Sequence, residues 1–216
     1  MRYDLAIING KLYLPFGCVQ KEVGIKDGYI TEIADKIDTS SADLVIDAEG
    51  RVIVPGFVDA HMHIEKSFTA DDEEIDNLLE ACRHSADKLA EYYYNWDRES
   101  IILDIMENAE QILKKCIVNG TAVIRTNVMV NEIVGTAALE AMERLREKYK
   151  SKIDILITAD CPEKMEEEWE KAVKNGWINF IGGYPNLTVE ESGYGFADAD
   201  EKQRNIDRIF ELAARN

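Results

Sequence analysis

The chain opens with short alternating apolar runs broken by turn dipeptides. Leu5-Ala6-Ile7-Ile8 leads into Asn9-Gly10 and then Leu12-Tyr13-Leu14. Val23-Gly24-Ile25 leads into Asp27-Gly28 and Tyr29-Ile30-Thr31-Glu32-Ile33, and Leu44-Val45-Ile46-Asp47 leads through Glu49-Gly50 to Val52-Ile53-Val54. Asn-Gly and Asp-Gly accept positive φ at both positions, which makes them hairpin signals between alternating segments. Three such hairpins predict a small β-sandwich domain over residues 1–55. It holds no cluster of His, Ser or Cys and reads as structural.

After Pro55 the rhythm changes to strand followed by helix. The first strand spans Phe57–Ile64, and Thr69 with Asp72 forms a capping box for a helix near 71–94. Asp97 caps a helix near 98–118, which Asn119-Gly120 ends. Strand Ala122–Val128, helix 131–149, strand Ile153–Thr158, helix Pro162–Lys174, strand Trp177–Ile181 and a helix from Asp200 to Arg215 follow. Four strands alternating with helices predict parallel β/α units across residues 56–216. Residues 182–199 are long for a β/α connection and predict a lid or mouth segment. The aromatic run Tyr92–Trp96 predicts packing at a helix end.

Composition narrows the function classes. With 46% hydrophobic and 31% charged residues, the 216-residue chain has the make-up of a globular protein. A net charge of -17 argues against a nucleic-acid partner, whose phosphates call for a basic patch. The acidic runs at 71–74 and 166–170 read as solvated helix surface. No apolar run nears the roughly 20 residues of a membrane span, and the first residues lack a secretory pattern. A cytoplasmic location is the expectation. Cys18, Cys82, Cys116 and Cys161 form no Cys-x-x-Cys pair and read as reduced thiols.

The chemistry concentrates in Pro55-Gly56-Phe57-Val58-Asp59-Ala60-His61-Met62-His63-Ile64. Side chains two apart on a strand share a face, so His61 and His63 emerge together with Asp59 behind them. Two imidazoles so placed can hold one transition metal, and the ligand type suits Zn or Fe(II). The competing reading is a hydrogen-bonded pair in a core. The third histidine, His84, falls off its helix's apolar stripe and reads as a surface or interhelix residue.

A small β-domain followed by this segment resembles the amidohydrolase superfamily, in its cytosine deaminase-like branch. The match continues as His61-Met62-His63-Ile64-Glu65, where the family has His-x-His, Leu or Ile, and an acid. Looser matches run through Asn119-Gly120-Thr121 to Ile124–Val128 and through Ile181–Asn186. The resemblance implies a partial (β/α)8 TIM-type barrel with about four β/α units. It also implies a single divalent metal, Zn²⁺ or Fe²⁺, on His61 and His63, and hydrolytic C–N cleavage of a small heterocyclic substrate. Two-metal relatives carry a bridging Lys on the fourth strand; the segment from Trp177 to Asn186 has none, favouring one metal.

Three positions depart from the family. It carries a His where Asn127 stands, a substrate-contacting Gln near Glu163, and another His near Asn186. Strand ends and the loops after them form the mouth of such a barrel, so Asn127, Asp160, Glu163 and Asn186 are the candidates for lining a pocket. Asn127 and Glu163 are the expected substrate-binding residues, and the departures put the accepted ring in question. Asp160 reads as a helix N-cap, and Glu163 can alternatively serve as a first-turn acid favoured by the helix dipole. A barrel of this kind takes roughly 250 residues, so the family's later metal ligands and its proton-shuttling Glu fall outside residues 56–216. No catalytic residue is assigned, and the isolated chain is expected to be inactive. The alternative function is a non-catalytic half-barrel that forms a homo-oligomer or pairs with a complementing chain.

Overall fold

Turn chemistry and apolar alternation divide the chain into two units, Met1–Pro55 and Gly56–Asn216. The computed structural model describes residues 2–69, 91–131, 134–161, 166–183, 187–190 and 193–215. The expected helix near 71–94, its capping box, His84, Glu163 and Asn186 lie outside the described residues.

The first unit, expected as a β-sandwich, is realised as one five-stranded mixed sheet. β1 (Tyr3–Leu14), β2 (Gly17–Lys26) and β3 (Tyr29–Ala34) are antiparallel neighbours, while β4 (Ala42–Asp47) and β5 (Val52–Ile53) both run parallel to β1. The Asp27-Gly28 hairpin forms as expected, with φ of 52° and 80°. Asn9-Gly10 does not make a hairpin. Asn9 alone takes positive φ (53°), and β1 continues through it as a bulge. Gly10 is needed there because a Cβ would lie 2.2 Å from Ile53 Cδ1. Glu49-Gly50 does turn, with φ of 51° and 79°, yet its flanking strands do not pair with each other. The excursion instead bonds to the β1 bulge through Gly50 N–H donating to Asn9 O (2.7 Å) and Lys11 N–H to Arg51 O (2.9 Å).

The second unit is built on the parallel sheet β6 (Phe57–Met62), β7 (Thr121–Val128), β8 (Asp154–Asp160), β9 (Phe180–Gly182), in that spatial order. Helices α1 (Arg98–Val118), α2 (Ala137–Tyr149), α3 (Glu166–Lys174) and α4 (Ala199–Arg215) alternate with or follow the strands, as the periodicity predicts. However, α2 begins at Ala137 rather than at 131, where Asn131 instead forms an isolated bridge with Gly135. Asp97 caps α1 by accepting from Ser100 N–H at 3.0 Å, and Gly120 ends it with φ 86°. Ile102, Ile105, Ala109 and Leu113, recurring at helical spacing, bury one α1 stripe in a core shared with Leu139, Met142 and Leu145 of α2. Ile124 and Val128 of β7 and Ile155 and Ile157 of β8 supply the sheet's side of that core. Tyr93 is buried and donates to Asp104 at 2.9 Å, while Tyr92 stacks on Trp96, so the aromatic run does pack a helix end.

The stretch 182–199, expected as a lid or mouth segment, contains among its described residues a two-stranded antiparallel pair, β10 (Leu187–Glu190) and β11 (Gly193–Phe196). Alternation in Leu187-Thr188-Val189-Glu190 was the available strand signal, and the flanking Gly and Asn residues masked it.

Candidate metal centre

Strand alternation hands one face of the parallel sheet to the helices and leaves the other face to different residues. Ile124, Thr126 and Val128 go to the helix side of β7, so Arg125 and Asn127 lie on the opposite face. His61 and His63 share that face at β6, as Thr158 and Asp160 do at β8. Asp59, expected behind the histidines, instead pairs with Ile124 ahead of a register shift and so lies toward the helices, where its charge adds to burial in raising the Cys116 thiol. The carboxyl ends of parallel strands are where barrel-type sites form, because the following loops converge there.

His61 and His63 come together as the spacing predicts, with ring centroids 5.2 Å apart and planes at 80°. The strand is shorter than expected. β6 ends at Met62, and Ile64–Lys66 turn sharply in a single 3₁₀ turn. Ile64 N–H donates to Thr126 Oγ1 of β7 at 3.2 Å, which anchors that turn to the neighbouring strand. His61 is exposed and its backbone N–H donates to Asp59 Oδ1 at 3.3 Å. His63 is half-buried.

Asn127, 8% exposed, brings its Nδ2 to 3.1 Å from His61 Nδ1. Its amide is thus turned toward a histidine of the pair. Glu65 is 1% exposed, with Oε1 3.5 Å from His63 Nδ1 and 4.0 Å from Lys66 Nζ. Asp160 ends β8 close enough for Glu65, His63 and Lys66 to act on it electrostatically. Burial pushes its carboxyl up to about 6, Glu65 adds to the rise, and His63 and Lys66 oppose it. Asp160 was expected as an N-cap; the residues that would open the following helix lie outside the described set.

Four polar atoms of this cluster are buried without a hydrogen-bond partner: His63 Nδ1, both Glu65 carboxylate oxygens and Asn127 Oδ1. Such orphans are rare in folded chains, and these four gather where β6 and β7 end. The donor set, two imidazoles with carboxylates beside them, fits a divalent transition ion. Among the described residues no group of three or more His, Cys, Asp or Glu side chains is arranged to hold a metal. Sequence reasoning found the two histidines but missed the Glu65–Asp160 approach. The signal was two acids at the ends of predicted parallel strands, one directly after the His-x-His.

A parallel β/α sheet with polar residues gathered at its strand ends has the layout of barrel enzymes. Residues 44–162, over half of the chain, match the Amidohydrolase family, and the chain belongs to that family. It is 34% identical over 207 residues to an N-isopropylammelide isopropyl amidohydrolase of Pseudomonas sp. (strain ADP), covering 91% of this chain and 49% of the relative. In fold it matches a 5-methylcytosine deaminase from Klebsiella pneumoniae with TM-score 0.72 and 24% identity, over 97% of this chain and 48% of that one. A zinc-complexed atrazine chlorohydrolase from Arthrobacter aurescens matches with TM-score 0.55 and 12% identity, over 72% of this chain and 35% of that one. The chain spans about half the length of the isopropylammelide hydrolase and the 5-methylcytosine deaminase. No described helix is long and apolar enough to cross a membrane.

Proposed function

We propose that residues 1–216 carry the first half of a mononuclear metal site in a hydrolase that cleaves C–N bonds of small cyclic amidines or amides. The observation that carries this reading is the His61–His63 pair at the carboxyl end of β6, its rings 5.2 Å apart among orphaned polar atoms. His61 and His63 would hold the ion, Zn²⁺ or Fe²⁺. When bound, a divalent ion of this kind acidifies a water for attack on an electron-poor carbon. Asn127 and Glu163 are the residues we assign to the substrate side. Glu65 and Asp160 place carboxyl oxygens near His63, a donor type that a divalent cation accepts.

The family membership and the 34% identity to an isopropylammelide hydrolase support the reaction class. Two histidines do not complete a shell, so turnover requires further ligands and a proton-shuttling group beyond those described. Elemental mass spectrometry of the dialysed chain tests the site. Near-stoichiometric Zn or Fe that vanishes in the His61→Ala/His63→Ala variant is expected. A metal-free folded chain, or metal retained by the variant, would overturn the assignment.

A second reading is favoured by one observation. Phe57 and Val58 on edge strand β6 are largely exposed, and an apolar sheet edge is a template for pairing. Self-association or pairing with a complementing chain would cover it.

A further inference from the structure

We infer that Asn127 is a positioning residue that fixes the tautomer of His61 and so decides which imidazole nitrogen meets the metal. The inference rests on the metal reading of the histidine pair, and adds to it a role for a side chain on a different strand.

Asn127 sits near the carboxyl end of β7, 8% exposed, with its amide 3.1 Å from His61 Nδ1. That contact occupies Nδ1, so Nε2 is the nitrogen left for an ion. A neutral imidazole carries its proton on one nitrogen and its lone pair on the other. Nε2 can ligate only when the proton is on Nδ1, and Nδ1–H then needs an acceptor. An amide can supply either partner. With Nδ2 toward the ring it donates and pins the proton on Nε2; with Oδ1 toward the ring it accepts and releases Nε2. Oxygen and nitrogen of an amide are distinguished by their partners, and Oδ1 has none in the described orientation. Turning the amide over therefore breaks no bond made by Oδ1 and replaces Nδ2–H···Nδ1 with Nδ1–H···Oδ1. Asn127 is buried while His61 is exposed, so the amide competes with water for Nδ1 from a fixed position and biases the tautomer. The metal-competent state is the one with Oδ1 facing the ring.

The test uses the full chain labelled with ¹⁵N-histidine. Long-range ¹H–¹⁵N spectra report the tautomer of His61, and a zinc titration against a chromophoric chelator reports affinity. Wild type is expected to show a single His61 tautomer without metal and the Nδ1–H form with Zn²⁺. Asn127→Leu, similar in size but unable to hydrogen-bond, should relax His61 to a mixture and weaken Zn²⁺ binding by about 10–100-fold. Asn127→Asp, an obligate acceptor at neutral pH, should hold the Nδ1–H form and bind Zn²⁺ at least as tightly as wild type. An Asn127→Leu chain with wild-type tautomer populations and affinity would overturn the inference, as would an Asn127→Asp chain that loses the Nδ1–H form. If no variant takes up Zn²⁺, the metal reading fails on its own. The metal-free tautomer spectra would still decide whether Asn127 positions His61.

Discussion

Asp160 offers the sharpest quantitative test of the site's electrostatics. Its carboxyl is raised from 3.8 to about 6, first by burial and then by Glu65. The folded state thus holds the proton more tightly than the unfolded chain does. The penalty for an ionised Asp160 is absent below about pH 3.8, grows as pH rises toward 6, and is constant above. The difference of 2.2 units, 6 minus 3.8, corresponds to about 3 kcal/mol at 1.36 kcal/mol per unit. Relaxation and water entry make that an upper bound. Asp160→Asn removes the ionisable group while keeping shape and polarity. Its stability relative to wild type should be near zero at pH 3.5 and reach up to about 3 kcal/mol in its favour by pH 7.5. At about 2–4 °C per kcal/mol for a chain of this size, the melting temperature would rise by up to roughly 6–12 °C. The assay is thermal and urea unfolding from pH 3.5 to 8 with a chelator present, so that no bound cation neutralises the cluster. Parallel stability–pH curves for wild type and Asp160→Asn would refute the reasoning, because they would mean Asp160 titrates alike folded and unfolded.

Two further predictions concern the scaffold. A Cβ at Gly56 would lie 2.4 Å from Ala122 Cβ, so Gly56→Ala should destabilise by about 1–3 kcal/mol in urea unfolding, and adding Ala122→Gly should restore part of the loss. Glu110 accepts from Lys148 Nζ at 2.6 Å and the Tyr149 hydroxyl at 2.5 Å, which hold its carboxyl down at about 2. Its stabilisation is present above pH 4.5 and lost as pH falls toward 2, so Glu110→Gln should flatten the unfolding profile across that window; an unchanged acid limb would contradict it.

The helices and parallel strands of the second unit were readable because their signals are local. Asp97 with Ser100, Asn119-Gly120 and the Ile102–Ile105–Ala109–Leu113 stripe each act within a few residues. The Asn9-Gly10 bulge was not readable. Its dipeptide is the same as a hairpin turn's, and only the Glu49-Gly50 excursion across the sheet decides between them. The site divides the same way. His61 and His63 are two residues apart, and strand alternation alone makes them neighbours. Asn127 meets His61 across 66 residues of sequence, and Asp160 approaches Glu65 from the third strand of the sheet. Such meetings depend on inter-strand register, which no local pattern specifies.

The hydrogen bond from Ile64 N–H to Thr126 Oγ1 sets a timetable for the nascent chain. Its two ends lie 62 residues apart, so the turn that presents His63 cannot be secured until β7 has left the ribosome and paired with β6. Closing that span is a slow, long-range event compared with forming α1 between them. A growing polypeptide therefore exposes both imidazoles as ordinary unstructured side chains well before they share an orientation. On the proposed reading of the pair, cation capture would be a consequence of sheet closure, arriving after the architecture exists rather than guiding its formation.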